Sequence, residues 1–332
     1  MQYRTLGKSD LKVSVYAFGA WQLGDSEYWG EKADADAEAV VQTAIDAGVT
    51  LFDTAESYGN GNSEKVLGKT LGTRRNQVCI ASKVSPNHLV PTQNLRQACE
   101  ASLKRLGTDV IDVYQVHWPC DPAHFDDVAA DMIRLKDDGK IRAIGVSNFG
   151  PQHLEKWMRA GECDSNQLGY NLLFRAIEYE IVPACRKQRV GILAYMPVMQ
   201  GILAGRWKTV GEIPEARRRT RHFSSERPGT RHGESGCEDL LMDTLRKLDA
   251  LCHKIEQPMA RVAIAWLMRQ PGVASVIVGG RTKAQLERNL AAADLELDDT
   301  TIARLNAITD PLKERLGTNP DMWCGEKDRR IF

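Results

Sequence analysis

The sequence predicts an α/β fold: a (β/α)8 TIM barrel with an N-terminal β-hairpin plug and a long loop after its seventh strand. Two observations carry that expectation. Short apolar runs rich in β-branched residues alternate with longer amphipathic stretches, which marks repeated βα units around a parallel sheet. Eight such strand–helix pairs can be counted along the 332 residues. That length modestly exceeds the ~250 residues of an ordinary closed barrel and leaves room for insertions. A doubly wound open sheet is the lesser alternative. No domain linker is visible, so residues 1–332 read as a single domain.

In chain order, QYRTLG and LKVS within 1–14 form the expected hairpin, placed to close the barrel bottom. The strands are expected at VYAFGA (15–20), VTLFD (49–53), VCIASK (78–83), VIDVYQVH (110–117), IRAIGVS (141–147), SNQLGY (165–170), GILAYM (191–196) and VASVIVG (273–279). Helices are expected near 34–47, 63–71, 92–106, 124–138, 151–160, 178–189, 258–269 and 282–292. Ser63 can cap one helix start, and Gly48, Gly72 and Gly107 can close helix ends. The 201–236 segment contains RRRTRHFSSERPGTRHGESG, which is rich in Arg, Ser and Gly and has no apolar period to anchor it. It is expected to be a lid-like loop, and 310–332 a C-terminal tail.

Charge excludes some partners. Lys plus Arg and Asp plus Glu balance at 44 each, so no global field draws the chain to nucleic acid or an anionic membrane. The N-terminus lacks the pattern of a secretory signal and no apolar run approaches membrane-spanning length, so a cytoplasmic protein is expected. The eight cysteines show no metal-ligand spacing and are expected as reduced thiols, with no metal site. The Arg217 to Arg221 run reads as a solvent-facing or phosphate-covering patch.

In a closed barrel the site lies at the C-terminal ends of the strands. Asp53 ends VTLFD, Lys83 ends VCIASK, His117 ends VIDVYQVH, and Tyr58 follows in the loop DTAESYGNG. Each alone has an ordinary reading as a cap, a snorkelling cation, a core histidine or a packing aromatic. Together they aim an acid, a base and a cation at one mouth. Reducing a carbonyl needs a hydride on carbon and a proton on oxygen. A Lys ammonium beside a phenol favours the phenolate and is expected to lower its pKa, while Asp53 orients that Lys. His117 is placed to donate a hydrogen bond to the same oxygen.

These residues and their spacing resemble the aldo-keto reductase family, in the branch of bacterial stress-type enzymes and potassium-channel β subunits. The resemblance runs from Arg4 to about Leu295 and rests on GVTLFDTAESYGNGNSEKVLG, ASKV and YQVHWP. It implies Asp53, Tyr58, Lys83 and His117 as the catalytic tetrad, and an extended nicotinamide cofactor across the barrel mouth; no G-x-G-x-x-G after a strand or P-loop offers another site. By the same resemblance, Ser147 and Asn148 of GVSNF and Gln167 hold the carboxamide, and Tyr195 stacks on the nicotinamide beside Trp21. Backbone of Met196, Pro197 and Val198, with Gly201 and Arg206, straps the pyrophosphate. Gly279 and Arg281 of VIVGGRTKAQLERNL meet a 2′-phosphate, and Gln285 and Asn289 meet adenine. NADPH is therefore expected over NADH, although Met196 stands for the usual Ser, Val278 for Pro and Arg288 for Glu.

Trp21, Tyr28, Trp29 and Trp118 in the first and fourth strand-end loops are expected to wall a pocket for a small apolar or planar carbonyl compound. Arg231, His232 and Glu234 of the 201–236 loop either read an anionic substrate or are solvated. Two other functions remain open at this stage. One is a cofactor-binding regulatory subunit with little turnover. The other is a Schiff-base barrel lyase with Lys83 as nucleophile.

Overall fold

The computed structural model describes residues 1–29, 34–91 and 93–332, with the side chains of Tyr28, Asp34 and Ala35 outside the description. Tyr3–Thr5 (β1) pairs antiparallel with Lys12–Ser14 (β2). Eight parallel strands then close on themselves: β3 (Tyr16–Gly19), β4 (Leu51–Asp53), β5 (Cys79–Val84), β6 (Ile111–Val116), β7 (Ile141–Ser147), β8 (Ser165–Gly169), β9 (Gly191–Tyr195) and β10 (Val273–Gly279). Closure is made by β10 against β3, with Val276 opposite Tyr16 and Gly279 opposite Gly19. This pairing excludes the open-sheet alternative. The central strands are buried on both faces, as a parallel sheet covered by helices requires.

The surrounding helices are α1 (Trp21–Gly24), α2 (Ser26–Trp29), α3 (Asp34–Asp46), α4 (Asn62–Leu71), α5 (Gln93–Leu106), α6 (Phe125–Asp137), α7 (Pro151–Ala160), α8 (Ile181–Gln188), α9 (Glu238–Lys254), α10 (Met259–Met268), α11 (Lys283–Leu290) and α12 (Asp299–Leu316). Among them, α9 fills a stretch for which no element is expected from sequence. Its buried Leu241, Leu245, Leu248 and Leu251 recur at helical spacing and form its core face. Helix α12 likewise has no expected counterpart, and it runs through Asp310 and Pro311 into the stretch expected as a tail. Arg175, buried beneath it, donates to the Asn306 carbonyl, Thr309 Oγ1 and Asp310, and so braces the turn that Pro311 weakens.

The hairpin plugs the barrel floor. Leu6, Leu11 and Val13 pack against inward-facing Ala17, Leu51, Ala81 and Val113 in a small core separate from the main one between strands and helices. The loop after β9 is pinned rather than freely solvated: Thr220, Arg221, His222, Phe223 and His232 are all buried. Arg221 corrects the expectation of a solvent-facing arginine run. Its guanidinium donates to Glu234 and to the carbonyls of Asn319 and Leu316, tying the loop to the C-terminal segment. No helix among the described residues is long and apolar enough to cross a membrane.

Candidate active site

Asp53 closes β4, Lys83 lies at the end of β5 and His117 follows β6, and these neighbouring parallel strands deliver all three to one rim. Lys83 is fully enclosed. Its Nζ donates to both Asp53 oxygens at 2.7 Å and to the Thr54 carbonyl at 2.7 Å, and lies 3.1 Å from the Tyr58 hydroxyl. Tyr58 is brought there by a loop with little freedom. Ser63 N–H donates to the Tyr58 carbonyl, Ser63 Oγ to the Ala20 carbonyl, and Glu56 N–H to the Lys83 carbonyl. Gly59, at φ 54, lies so close to the Gly24 carbonyl that any side chain would meet backbone. Glu64 is buried just beyond, accepting from Ser82 and Arg105, which anchors α4 against β5 and α5.

Electrostatics differ from expectation at one point. Burial raises the Tyr58 phenol above its ordinary value, and the Lys83 charge offsets this only in part, so the net shift is opposite to the expected lowering. Burial alone would lower Lys83, yet Asp53 and Tyr58 carry it above its usual range. Burial likewise raises Asp53, opposed by Lys83 and by the Gln167 amide. His117 is pushed down to about 3 by burial and then by the Lys83 charge, so its ring is neutral at pH 7.

Next along the rim, Ser147 Oγ donates to the Gln167 carbonyl. The Asn148 amide nitrogen donates to the His117 carbonyl and to Ser147 Oγ, and its oxygen accepts from the Tyr195 hydroxyl at 2.8 Å. Gln167 Nε2 donates to Asp53 at 2.9 Å, which makes it a direct partner of that carboxylate. Asn148, Met196, Met199 and Gln200 all have left-handed backbones, with φ between 46 and 63. Non-glycine residues adopt this conformation rarely, and such strain collects where ligands are held. Pro197, Val198 and Gly201, the last at φ 93, continue the same turn after β9, and Arg206 is exposed beyond it.

After β10, Gly279 leaves room for Gln22, whose side chain a Cβ would overlap. Thr282 caps α11, and Gln285 Oε1 accepts the Arg281 N–H at 2.9 Å. The Asn289 amide turns back to the Gly279 carbonyl at 3.4 Å. Gln285 and Asn289 thus brace the start of their own helix beside Arg281.

Of the aromatic residues expected to wall a pocket, three have described side chains. Trp21 stacks on Tyr58 with centroids 5.4 Å apart, and Trp29 meets Trp21 edge-on at 5.3 Å. Trp118 carries the Arg330 guanidinium 3.9 Å over its ring, and the Tyr28 side chain lies outside the described residues. Glu234 and His232, considered as readers of substrate, are taken up in the loop's own packing, Glu234 as the partner of Arg221. What sequence reasoning missed is the contribution of the tail: Asp321, Trp323 and Arg330 reach this rim, and Trp323 stacks on Tyr195 at 6.3 Å and 12°. The turn signal Asn319-Pro320-Asp321 next to Trp323 was the available hint.

Residues 16–310 match the Aldo/keto reductase family. The NADH-specific methylglyoxal reductase of Escherichia coli is 30% identical over 93% of this chain and 98% of its own length. A protein of Arabidopsis thaliana named "Probable voltage-gated potassium channel subunit beta" is 32% identical over 89% of this chain and 92% of its own. Among solved structures, an aldo-keto reductase from Klebsiella pneumoniae in complex with NADPH superposes with a TM-score of 0.73 at 27% identity, covering 100% of both chains. Closed barrel, strand-end ring and a match spanning most of the sequence lead to one conclusion: the chain belongs to the aldo/keto reductase family of oxidoreductases.

Proposed function

We propose that the chain reduces an aldehyde or ketone to the alcohol with NADPH, Tyr58 giving the proton to the carbonyl oxygen. The observation that supports this most directly is the Lys83 ammonium, held by both Asp53 oxygens at 2.7 Å and set 3.1 Å from the Tyr58 hydroxyl. A phenol kept protonated by burial is a proton store. Once its proton begins to leave, the adjacent ammonium stabilises the phenolate that forms, an interaction stronger in the transition state than before it. Neutral His117 supplies a hydrogen bond to the same oxygen.

The strained strand ends and the hydroxyl and amide groups of Ser147, Asn148 and Gln167 fit a flat ring bearing a carboxamide, with Tyr195 beneath it. A nicotinamide cofactor bound there supplies the hydride. Arg281, at the start of α11, is assigned to the 2′-phosphate, which favours NADPH over NADH. A relative named NADH-specific makes that preference a point to measure. The Schiff-base reading is disfavoured, because Lys83 is raised rather than lowered and its three N–H groups are engaged.

The test is oxidation of NADPH beside NADH by the purified protein with methylglyoxal, aromatic aldehydes and sugars. We expect turnover with NADPH preferred, and a loss of about 10²-fold or more in Tyr58→Phe with cofactor affinity retained. Undiminished turnover in Tyr58→Phe would sink the assignment.

A further inference from the structure

The C-terminal segment after α12 is built around a buried charge. Asp321 is completely enclosed, and its Oδ1 accepts from the backbone N–H groups of Trp323 and Cys324. The Asn319 side chain closes the same knot, accepting from the Asp321 N–H and donating to the Cys324 carbonyl. Onto this carboxylate Arg330 folds back, donating from Nε at 2.8 Å and Nη2 at 3.0 Å. A guanidinium held by one edge is fixed in orientation, and its opposite edge stays available.

Where that edge lies follows from its neighbours. The guanidinium covers the ring of Trp118, the residue directly after His117, at 3.9 Å. Its charge is felt at the Tyr195 phenol, which Trp323 of the same knot stacks upon. Arg330 therefore sits at the barrel mouth between the fourth and seventh strand ends. Its side chain is 37% exposed, and Nη1 has no hydrogen-bond partner among the described residues. Beside Tyr58, Lys83 is enclosed and His117 is neutral at pH 7. Arg330 instead offers an exposed edge next to Trp118 to a molecule entering there.

We propose that Arg330, anchored by Asp321 and laid on Trp118, reads a carboxylate on the substrate, so that the preferred substrates are aldehydes or ketones carrying an acid group. The Nη1–Nη2 fork matches the two carboxylate oxygens, and the Trp118 face fixes the plane in which they approach. Asp321 balances the charge of Arg330 before substrate arrives, so the gain comes from orientation and paired hydrogen bonds rather than from a bare field. This rests on the carbonyl-reductase reading above and narrows it to a substrate class.

The experiment compares 3- and 4-carboxybenzaldehyde with their methyl esters, which keep ring and aldehyde and lose the charge. In the unaltered protein we expect kcat/KM for the better acid to exceed its ester by about ten-fold, carried by KM and shrinking as salt is added. That ratio should fall to about one in Arg330→Met and to an intermediate value in Arg330→Lys. The lysine variant and the salt dependence of the unaltered protein stand even where the methionine variant loosens the tail. Turnover of acids and esters at equal or inverted efficiency would overturn the role of Arg330 and leave the reductase reading intact. Failure of all four aldehydes to oxidise NADPH would overturn both.

Discussion

At the scale of single residues, the organising fact is a buried ammonium with more acceptor atoms around it than it has protons. Lys83 faces both Asp53 oxygens, the Thr54 carbonyl and the Tyr58 hydroxyl at once, and removing it would have two separable consequences. Lys83→Met leaves Asp53 enclosed without a counter-charge, which costs about 3–5 kcal/mol of stability. It also removes the charge that stabilises a departing phenol proton, so the single-turnover rate of hydride transfer should fall by about 10²- to 10⁴-fold. Adding Asp53→Asn should restore much of the stability without restoring the rate. Urea denaturation and stopped-flow measurements on the single and double variants separate the two effects. A rate that recovered together with stability would mean that Lys83 is only a structural cation.

At the scale of elements, the strands were legible and several helices were not. The β7 and β10 ranges coincide with the apolar runs at 141–147 and 273–279, because strands buried on both faces read as continuous β-branched stretches. Helix α9 carried an equally plain leucine period, obscured by the polar loop that precedes it. Helix α12 had no expected counterpart, and its last turns lie in the stretch expected as a tail; Asp310-Pro311 ordinarily marks a helix end, whereas Arg175 contacts supplied from elsewhere in the chain let it continue. The hairpin plug is an element whose worth can be measured. Leu6 is fully buried in the floor cluster, so Leu6→Ala should cost about 2–5 kcal/mol in unfolding free energy. The floor is at the opposite end from the rim, so turnover per folded molecule should persist. A stability change under about 0.5 kcal/mol would mean that the hairpin does not plug the barrel.

At the scale of the whole molecule, barrel closure gathers residues as distant in sequence as Asp53 and Gln167 into hydrogen-bond contact. Strand-end positions made most of that ring readable in advance. Arg330 and Asp321 were not readable, because an irregular tail has no period and its place is set only by what it packs on. The assembled molecule also buries histidines in neutral form, which makes its stability depend on pH. Burial pushes His153 and His222 down to about 4 and His117 to about 3, all from an ordinary 6.5. Between those values the unfolded chain binds protons that the folded chain does not, so stability is complete above pH ~6.5 and falls as pH drops toward 4. His222 isolates the effect. It is completely buried, with Nε2 2.8 Å from the Leu173 carbonyl and Nδ1 3.1 Å from Thr220 Oγ1. Its share of the slope is about 1.4 kcal/mol per pH unit inside that window. Unfolding free energies at pH 7, 6 and 5 should therefore fall less steeply in His222→Gln than in the unaltered protein, by about that amount per unit near pH 5. Parallel slopes would mean that His222 takes up its proton in the folded state and that its burial is not holding it neutral.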